Sequence, residues 1–133
     1  MISIHVHSEG VAEHFRAVDE RIQNSVSRAV YRTGALMQTK VRGNASGRPG
    51  PNVQTGDYRR GITVLNGTDR GIPVSLVYSN SPQAARLEYG FIGTDSLGRK
   101  YNQPPLPHWA PAKRDVEDFF YQEIVEAVKG SLG

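Results

Sequence analysis

The feature that most constrains this chain is a long stripe of apolar residues near the N-terminus. Between Val11 and Val41 the apolar side chains recur at steps of three and four residues, with polar side chains opposite. This spacing predicts one amphipathic helix, with Ser8 as its N-cap and a kink or local loosening at Gly34. A helix of about thirty residues is about 45 Å long. Because a small domain cannot cover that length, we expect part of the stripe to meet another subunit.

Alternating apolar and polar residues predict three strands. Residues 2–7, with the sequence ISIHVH, predict a short strand with one buried face. Residues 61–67 and 72–79, with the sequences GITVLNG and IPVSLVYS, predict two more. The Asn-Gly and Arg-Gly pairs of the connecting segment are typical of hairpin turns, so these two strands should pair with each other.

Two further helices follow. Residues 81–90 predict one or two helical turns, because Ser81 suits an N-cap, a proline follows it, and Gly90 suits the C-terminal end. Residues 112–132 have apolar side chains at helical spacing and acidic residues early, where a helix dipole favours them. They predict an amphipathic C-terminal helix.

Residues 43–53 and 91–111 are rich in glycine and proline and are interpreted as long flexible loops. A loop of twenty residues in a small domain is usually functional or becomes ordered by a partner. The pattern as a whole predicts a single α+β domain spanning residues 1–133. A small antiparallel β-sheet should pack against the long N-terminal helix and the C-terminal helix.

Composition limits the function classes. The 133 residues suffice for one domain, and with 38% of them hydrophobic the core should be modest. The absence of cysteine excludes disulfides, thiolate metal sites and cysteine nucleophiles. No apolar run approaches the roughly 18 residues of a membrane span, and the first ten residues do not resemble a signal peptide. We therefore expect a soluble protein made in the cytosol.

The sequence offers little to support catalysis. The glycines after residue 43 follow a helix and no Gly-Lys-Ser/Thr occurs, so the pattern of a phosphate-binding loop is missing. His5 and His7 share a strand face but have no recognisable third metal ligand nearby. Glu88 and Asp95 form a conceivable carboxylate pair without a diagnostic spacing, and His108 is expected to be structural or exposed. We expect no enzymatic activity, no cofactor and no metal.

A local cluster of positive charge surrounds the first loop. It comprises Lys40, Arg42, Arg48, Arg59 and Arg60. The formal charge of the whole chain is only +3, so the cluster is a local feature. Flexible basic segments suit phosphate contacts, and a small nucleic-acid-binding module is one interpretation. The other is an arm that pairs with the acidic C-terminal helix of a neighbouring subunit.

Three segments in order carry a resemblance to a known family. They are VQTGDYRRGITV, SPQAARLEYGF and PPLPHWAPA, spread over residues 53–112 and flanked by the two long helices. Their order and spacing resemble those of the siphophage neck or minor tail component proteins, which include tail-completion and head–tail joining proteins. The chain departs from the family pattern at Gln54, Tyr58 and Gly61, and Phe91-Ile92 precedes its Gly-Thr pair.

The resemblance implies a structural role in a virion. Such proteins form a homo-oligomeric ring, a hexamer by resemblance, between the head-closure protein and the tail tube or tail terminator, with DNA passing through the lumen. A tail-terminator ring is an alternative that the motifs do not separate from a neck ring. The residues expected to have structural or interface roles are Thr55, Gly56, Arg59, Arg60, Glu88, Tyr89, Gly90, Pro107, Trp109 and Pro111. Lys40, Arg42 and Arg48 are expected to contact DNA or an acidic partner.

Overall fold

A computed structural model describes residues 1–6, 19–53 and 55–132. Its elements are β1 (Ile2–Val6), α1 (Glu20–Asn44), α2 (Asp57–Arg60), β2 (Thr63–Asp69), β3 (Ile72–Ser79), α3 (Ala84–Tyr89), β4 (Phe91–Thr94), β5 (Lys100–Gln103) and α4 (Trp109–Leu132). This confirms the α+β class, with a small antiparallel sheet, a long N-terminal helix and a C-terminal helix. Within these residues, no helix combines the length and apolar character needed to cross a membrane.

The long helix α1 is confirmed over its described part. Its first turn is capped by the Asp19 side chain, which accepts a hydrogen bond from the Arg21 N–H at 2.7 Å. It continues to Asn44, three residues beyond the predicted end. The predicted N-cap Ser8 and residues 11–18 of the stripe lie outside the described residues.

The apolar stripe of α1 is covered by the chain itself. Val26 and Val30 are buried in a cluster with Val6, and Met37 and Val41 in a second cluster with residues of β3 and α4. The helix thus packs against both the sheet and α4. The expectation that part of the stripe meets another subunit stays a prediction, because residues 11–18 of the stripe lie outside the described residues.

The central hairpin forms as predicted. The sheet has the order β1–β3–β2, and both pairings are antiparallel. The turn between β2 and β3 has φ angles of 55° at Arg70 and 82° at Gly71, the left-handed pair that tight hairpins use. The Arg-Gly pair therefore makes the turn, whereas Asn66 and Gly67 lie within β2.

Gly34 marks the closest approach of α1 to the sheet. A Cβ built there would lie 1.8 Å from the Ser75 Oγ and 2.6 Å from its Cβ. The helix runs continuously through this position, so the expected loosening at Gly34 is wrong. The glycine instead allows α1 to pack directly on β3.

We predict that Gly34→Ala lowers the free energy of unfolding by about 2 kcal/mol, because the methyl group overpacks the contact with Ser75. Denaturant unfolding followed by circular dichroism measures this change. The matched control is Gly43→Ala in the same helix, where an added Cβ meets nothing within 4 Å. It should be neutral or raise stability by up to about 1 kcal/mol. Equal effects of the two substitutions would contradict the packing explanation.

The segment 91–111 is not one long irregular loop, so that prediction is wrong. Its first part forms the hairpin β4–β5, and α4 begins at Trp109, three residues earlier than expected. The Asp95 carboxylate organises the turn by accepting from the Leu97 and Arg99 N–H groups, each at 2.9 Å. Both strands have only four residues, which is too short to give a periodic signal.

The first predicted loop is also partly regular. Residues 43 and 44 complete α1, and residues 45–53 turn back against its end. Ala45, Gly50 and Pro51 are buried, and the Gly47 N–H donates to the Pro51 carbonyl at 3.0 Å. This segment therefore packs on the body of the domain.

Candidate functional site

A buried carboxylate, Glu88, holds the N-terminus of α4. Its Oε1 accepts hydrogen bonds from the His108 and Trp109 N–H groups, both at 2.8 Å, and its Oε2 accepts from the Ala110 N–H at 3.2 Å. The next residue, Pro111, has no N–H to satisfy. The Glu88 side chain from α3 thus accepts hydrogen bonds from the first N–H groups of α4, where the helix dipole also favours negative charge.

Further bonds tie the same helix start to its surroundings. The Asn44 side chain at the end of α1 donates to the His108 carbonyl at 3.2 Å. The Leu106 N–H donates to the Leu87 carbonyl in α3 at 2.7 Å. The ends of α1, α3 and the start of α4 are therefore fixed to one another.

An aromatic network continues inward from the Glu88 contact. The His108 Nδ1 lies 2.8 Å from the Leu106 carbonyl oxygen, which only accepts, so Nδ1 carries the proton. The Nε2 atom then accepts from the Tyr58 hydroxyl at 2.6 Å, and that hydroxyl accepts from the Trp109 Nε1 at 3.1 Å. These bonds fit a neutral imidazole protonated at Nδ1.

Burial sets the ionisation of this network. It lowers the pKa of His108 below the ordinary value of 6.5, against the opposing effects of the Leu106 carbonyl and the Glu88 charge. Burial likewise raises the pKa of the Tyr58 hydroxyl above 10.0. Glu88 and His108 are 4% and 0% exposed, so the hydrogen bonds of both side chains are made inside the fold.

We predict that Glu88→Gln lowers the free energy of unfolding by about 3 kcal/mol. The amide replaces one carboxylate oxygen with a donor, which leaves the N–H bound to that oxygen without an acceptor, and it removes the negative charge at the start of α4. Thermal and urea unfolding measure the loss. Glu126→Gln removes an exposed carboxylate of α4 and should change stability by no more than about 0.5 kcal/mol. A Glu88→Gln protein as stable as the wild type would show that Glu88 does not stabilise the start of α4.

We predict that stability falls on acidification through the His108 equilibrium. Because the folded-state pKa of His108 lies below 6.5, the unfolded chain binds this proton first as the pH falls. The free energy of unfolding therefore decreases from pH 6.5 down to the folded-state pKa, by at most about 1.4 kcal/mol per pH unit, and this contribution is complete above pH 6.5.

The measurement is urea unfolding at several pH values between neutral and mildly acidic. His108→Asn, which retains an N–H donor near Leu106, should flatten the pH dependence. His5→Asn removes an exposed histidine of β1 and leaves the buried network intact, so the wild-type slope should persist. An unchanged slope in His108→Asn would overturn the assignment.

The residues predicted to fix the turn before β2 form a helical turn instead. Thr55 Oγ1 accepts from the Asp57 N–H at 3.2 Å, and Gly56 has a φ of 84°, which favours glycine. Arg59 donates to the Ser46 hydroxyl at 2.7 Å, and Arg60 pairs with Asp57. These contacts define α2, which the sequence did not indicate.

The predicted basic residues separate into three positions. Arg42 is half-buried, and its Nη2 donates to the carbonyls of Arg60 at 3.1 Å and Ile62 at 2.9 Å. Arg42, Arg59 and Arg60 together line one hollow. Arg48 lines a second hollow that Arg59 also borders, and donates to the Gly50 carbonyl at 3.3 Å. Lys40 is exposed on α1.

The remaining predicted residues surround the Glu88 contact. Gly90 has a φ of 85°, and a Cβ there would lie 2.9 Å from the Gln103 carbonyl oxygen. It ends α3, as predicted. Trp109 is buried and Pro111 half-buried in the first turn of α4, whereas Tyr89 and Pro107 are exposed.

The hairpin β4–β5 exposes two large aliphatic side chains, Ile92 and Leu97. The Phe91 ring lies over Gly93, stacks near Tyr101 at 6.2 Å between centroids, and accepts a cation–π contact from Arg86 at 4.1 Å. Beyond this base, Ile92 is 83% exposed. Among the described elements the hairpin packs mainly on itself.

The other residues considered for catalysis or metal binding do not come together in a site. Asp95 organises its own turn and binds the Arg99 Nε at 2.6 Å, so it forms no pair with the buried Glu88. His5 is exposed and His7 lies outside the described residues. Within those residues, no group of three or more His, Cys, Asp or Glu could hold a metal ion.

Sequence reasoning missed Tyr58 and treated His108 as unremarkable. A signal was present, because Pro107 and His108 precede a helix without a Ser, Thr, Asp or Asn cap. Such a helix start needs an acceptor from elsewhere in the chain.

Comparisons of this chain with protein-family models, with curated proteins and with solved structures find no match.

Proposed function

We propose that this chain is a structural virion protein of a tailed bacteriophage. It forms an oligomeric ring at the head–tail junction and joins the head-closure complex to the tail tube, with DNA passing through the lumen. The resemblance to siphophage neck and minor tail component proteins favours a hexamer. The proposal assigns the protein no catalytic role.

The observation that carries the proposal is the meeting of the three family-like segments. Tyr58 comes from the first, Glu88 from the second, and His108 and Trp109 from the third. The Glu88 carboxylate accepts from the backbone N–H groups of His108 and Trp109, and the Tyr58 hydroxyl binds the side chains of the same two residues. These hydrogen bonds of 2.6–3.1 Å span as many as 51 positions of sequence. The three segments, which are separate in sequence, thus form one structural unit, as expected if they are inherited together as a scaffold.

The exposed β4–β5 hairpin supports the proposal that this chain assembles with other subunits. A two-stranded hairpin is marginally stable alone, and its free edges offer unpaired backbone groups to a neighbouring chain. Ile92 is 83% exposed and Leu97 75% exposed. Covering them in a contact between subunits would remove this apolar surface from water.

The test is deletion of the coding sequence from a phage that carries it. We expect filled heads and separate tails that do not join, counted by electron microscopy, with joining restored by the wild-type chain supplied in trans. Ile92→Asp with Leu97→Asp should fail to restore joining, because charge on the hairpin opposes its burial at an interface.

Tyr121→Asp is the matched control, since Tyr121 is 72% exposed on α4 and away from the hairpin. It should restore joining, and all variants should show wild-type circular dichroism. Normal virions from the deletion would overturn the proposed function. Full rescue by the hairpin variant would overturn the role of the hairpin alone.

A further inference from the structure

Three arginines converge on one hollow beside the end of α1. The hollow has a volume of about 350 Å³ and is lined by Arg42, Gly43, Ser46, Arg59 and Arg60. None of these lining residues is acidic. Asp57 is the nearest acidic side chain that the hydrogen bonds identify, and it pairs with Arg60 alone.

The guanidinium groups are held in place by bonds that leave other donors available. Arg42 is fixed to two carbonyls, and among the described residues its buried Nε has no hydrogen-bond partner. Arg59 is half-buried and positioned by the Ser46 hydroxyl at 2.7 Å. Each guanidinium has five N–H donors, so the observed bonds use only part of this capacity.

The acidic helix of a second copy is a poor match for this surface. Within α4, Glu123 is already bound by Arg32 at 3.0 Å. The exposed acidic residues of α4 are Asp115, Glu117, Asp118 and Glu126, and its exposed basic residues are Lys113, Arg114 and Lys129. These charges nearly cancel, so the helix presents no concentrated negative surface.

We propose that the hollow formed by Arg42, Arg59, Arg60 and Ser46 binds the phosphate backbone of nucleic acid. Duplex DNA carries one negative charge per about 1.7 Å of its axis, a density that α4 does not approach. Arginine forks match phosphate oxygens in pairs. Ser46 holds the Arg59 guanidinium at the hollow, because its hydroxyl accepts from Arg59 at 2.7 Å and donates to the Arg42 carbonyl at 2.8 Å. The contacts reach no base edge, so binding is independent of sequence. This inference is independent of ring formation.

The experiment measures binding of the full chain to a labelled DNA duplex by fluorescence anisotropy over a range of salt concentrations. The wild type should bind at low salt and lose affinity as salt rises. Arg59→Gln with Arg60→Gln should weaken binding by about tenfold at low salt and reduce the slope of log affinity against log salt by about two. Arg42 is left unchanged because it holds the backbone before β2.

The matched control is Arg21→Gln with Arg28→Gln. It removes the same charge from exposed positions on α1, about 20 Å or more from the hollow along the helix. This control should bind nearly as the wild type does. Arg59→Lys with Arg60→Lys should keep the salt slope while losing part of the affinity, because lysine retains the charge without the fork.

Three results would overturn the inference. They are no binding by the wild type at low salt, an equal loss in the Arg21/Arg28 control, and polyglutamate competing with DNA as well as unlabelled duplex does. The last result would favour an acidic protein partner. Circular dichroism and thermal unfolding confirm that each variant is folded. A phage that joins heads to tails with a chain unable to bind DNA would leave the proposed function standing.

Discussion

The structure depends on one buried carboxylate. Helix α4 starts in the interior, where its free N–H groups would be costly without acceptors, and Glu88 supplies those acceptors from another helix. Through this contact Trp109 enters the core beside Met37 and Val41. The pairing of α1 with α4, and the attachment of both to the sheet, follow from where this one helix begins.

The sequence predicted the elements whose signals are local. The α1 stripe and the β2–β3 hairpin have clear periodicity or turn residues, and both are present. The β4–β5 hairpin was not predicted, because its short strands are held by the Phe91 ring over Gly93 and by the Asp95 turn rather than by alternation. Periodicity indicates which face of an element is buried, so it does not predict elements that bury little surface.

The candidate site was predictable only in part. Glu88, Trp109 and Arg59 were identified as structural positions, but their partners were not. Glu88 and Trp109 bind each other across 21 residues, and Arg59 binds Ser46 across 13. Tyr58 and His108 are 50 residues apart, and no spacing rule connects them. The basic residues near the first loop looked like one cluster in sequence. In the structure Arg42 braces the chain before β2, and Arg48 lines a second hollow that Arg59 also borders.

The bonds at the two ends of the β4–β5 hairpin have a consequence for how this domain can vary. Just before the hairpin, Leu87 and Glu88 bind the backbone of Leu106, His108 and Trp109 just after it. The two ends of the hairpin therefore lie side by side and are joined by hydrogen bonds between the residues that flank it. A segment closed off in this way can be lengthened, shortened or replaced at little cost to the core. The hairpin is thus an insertion point whose length and sequence can change while the scaffold stays constant.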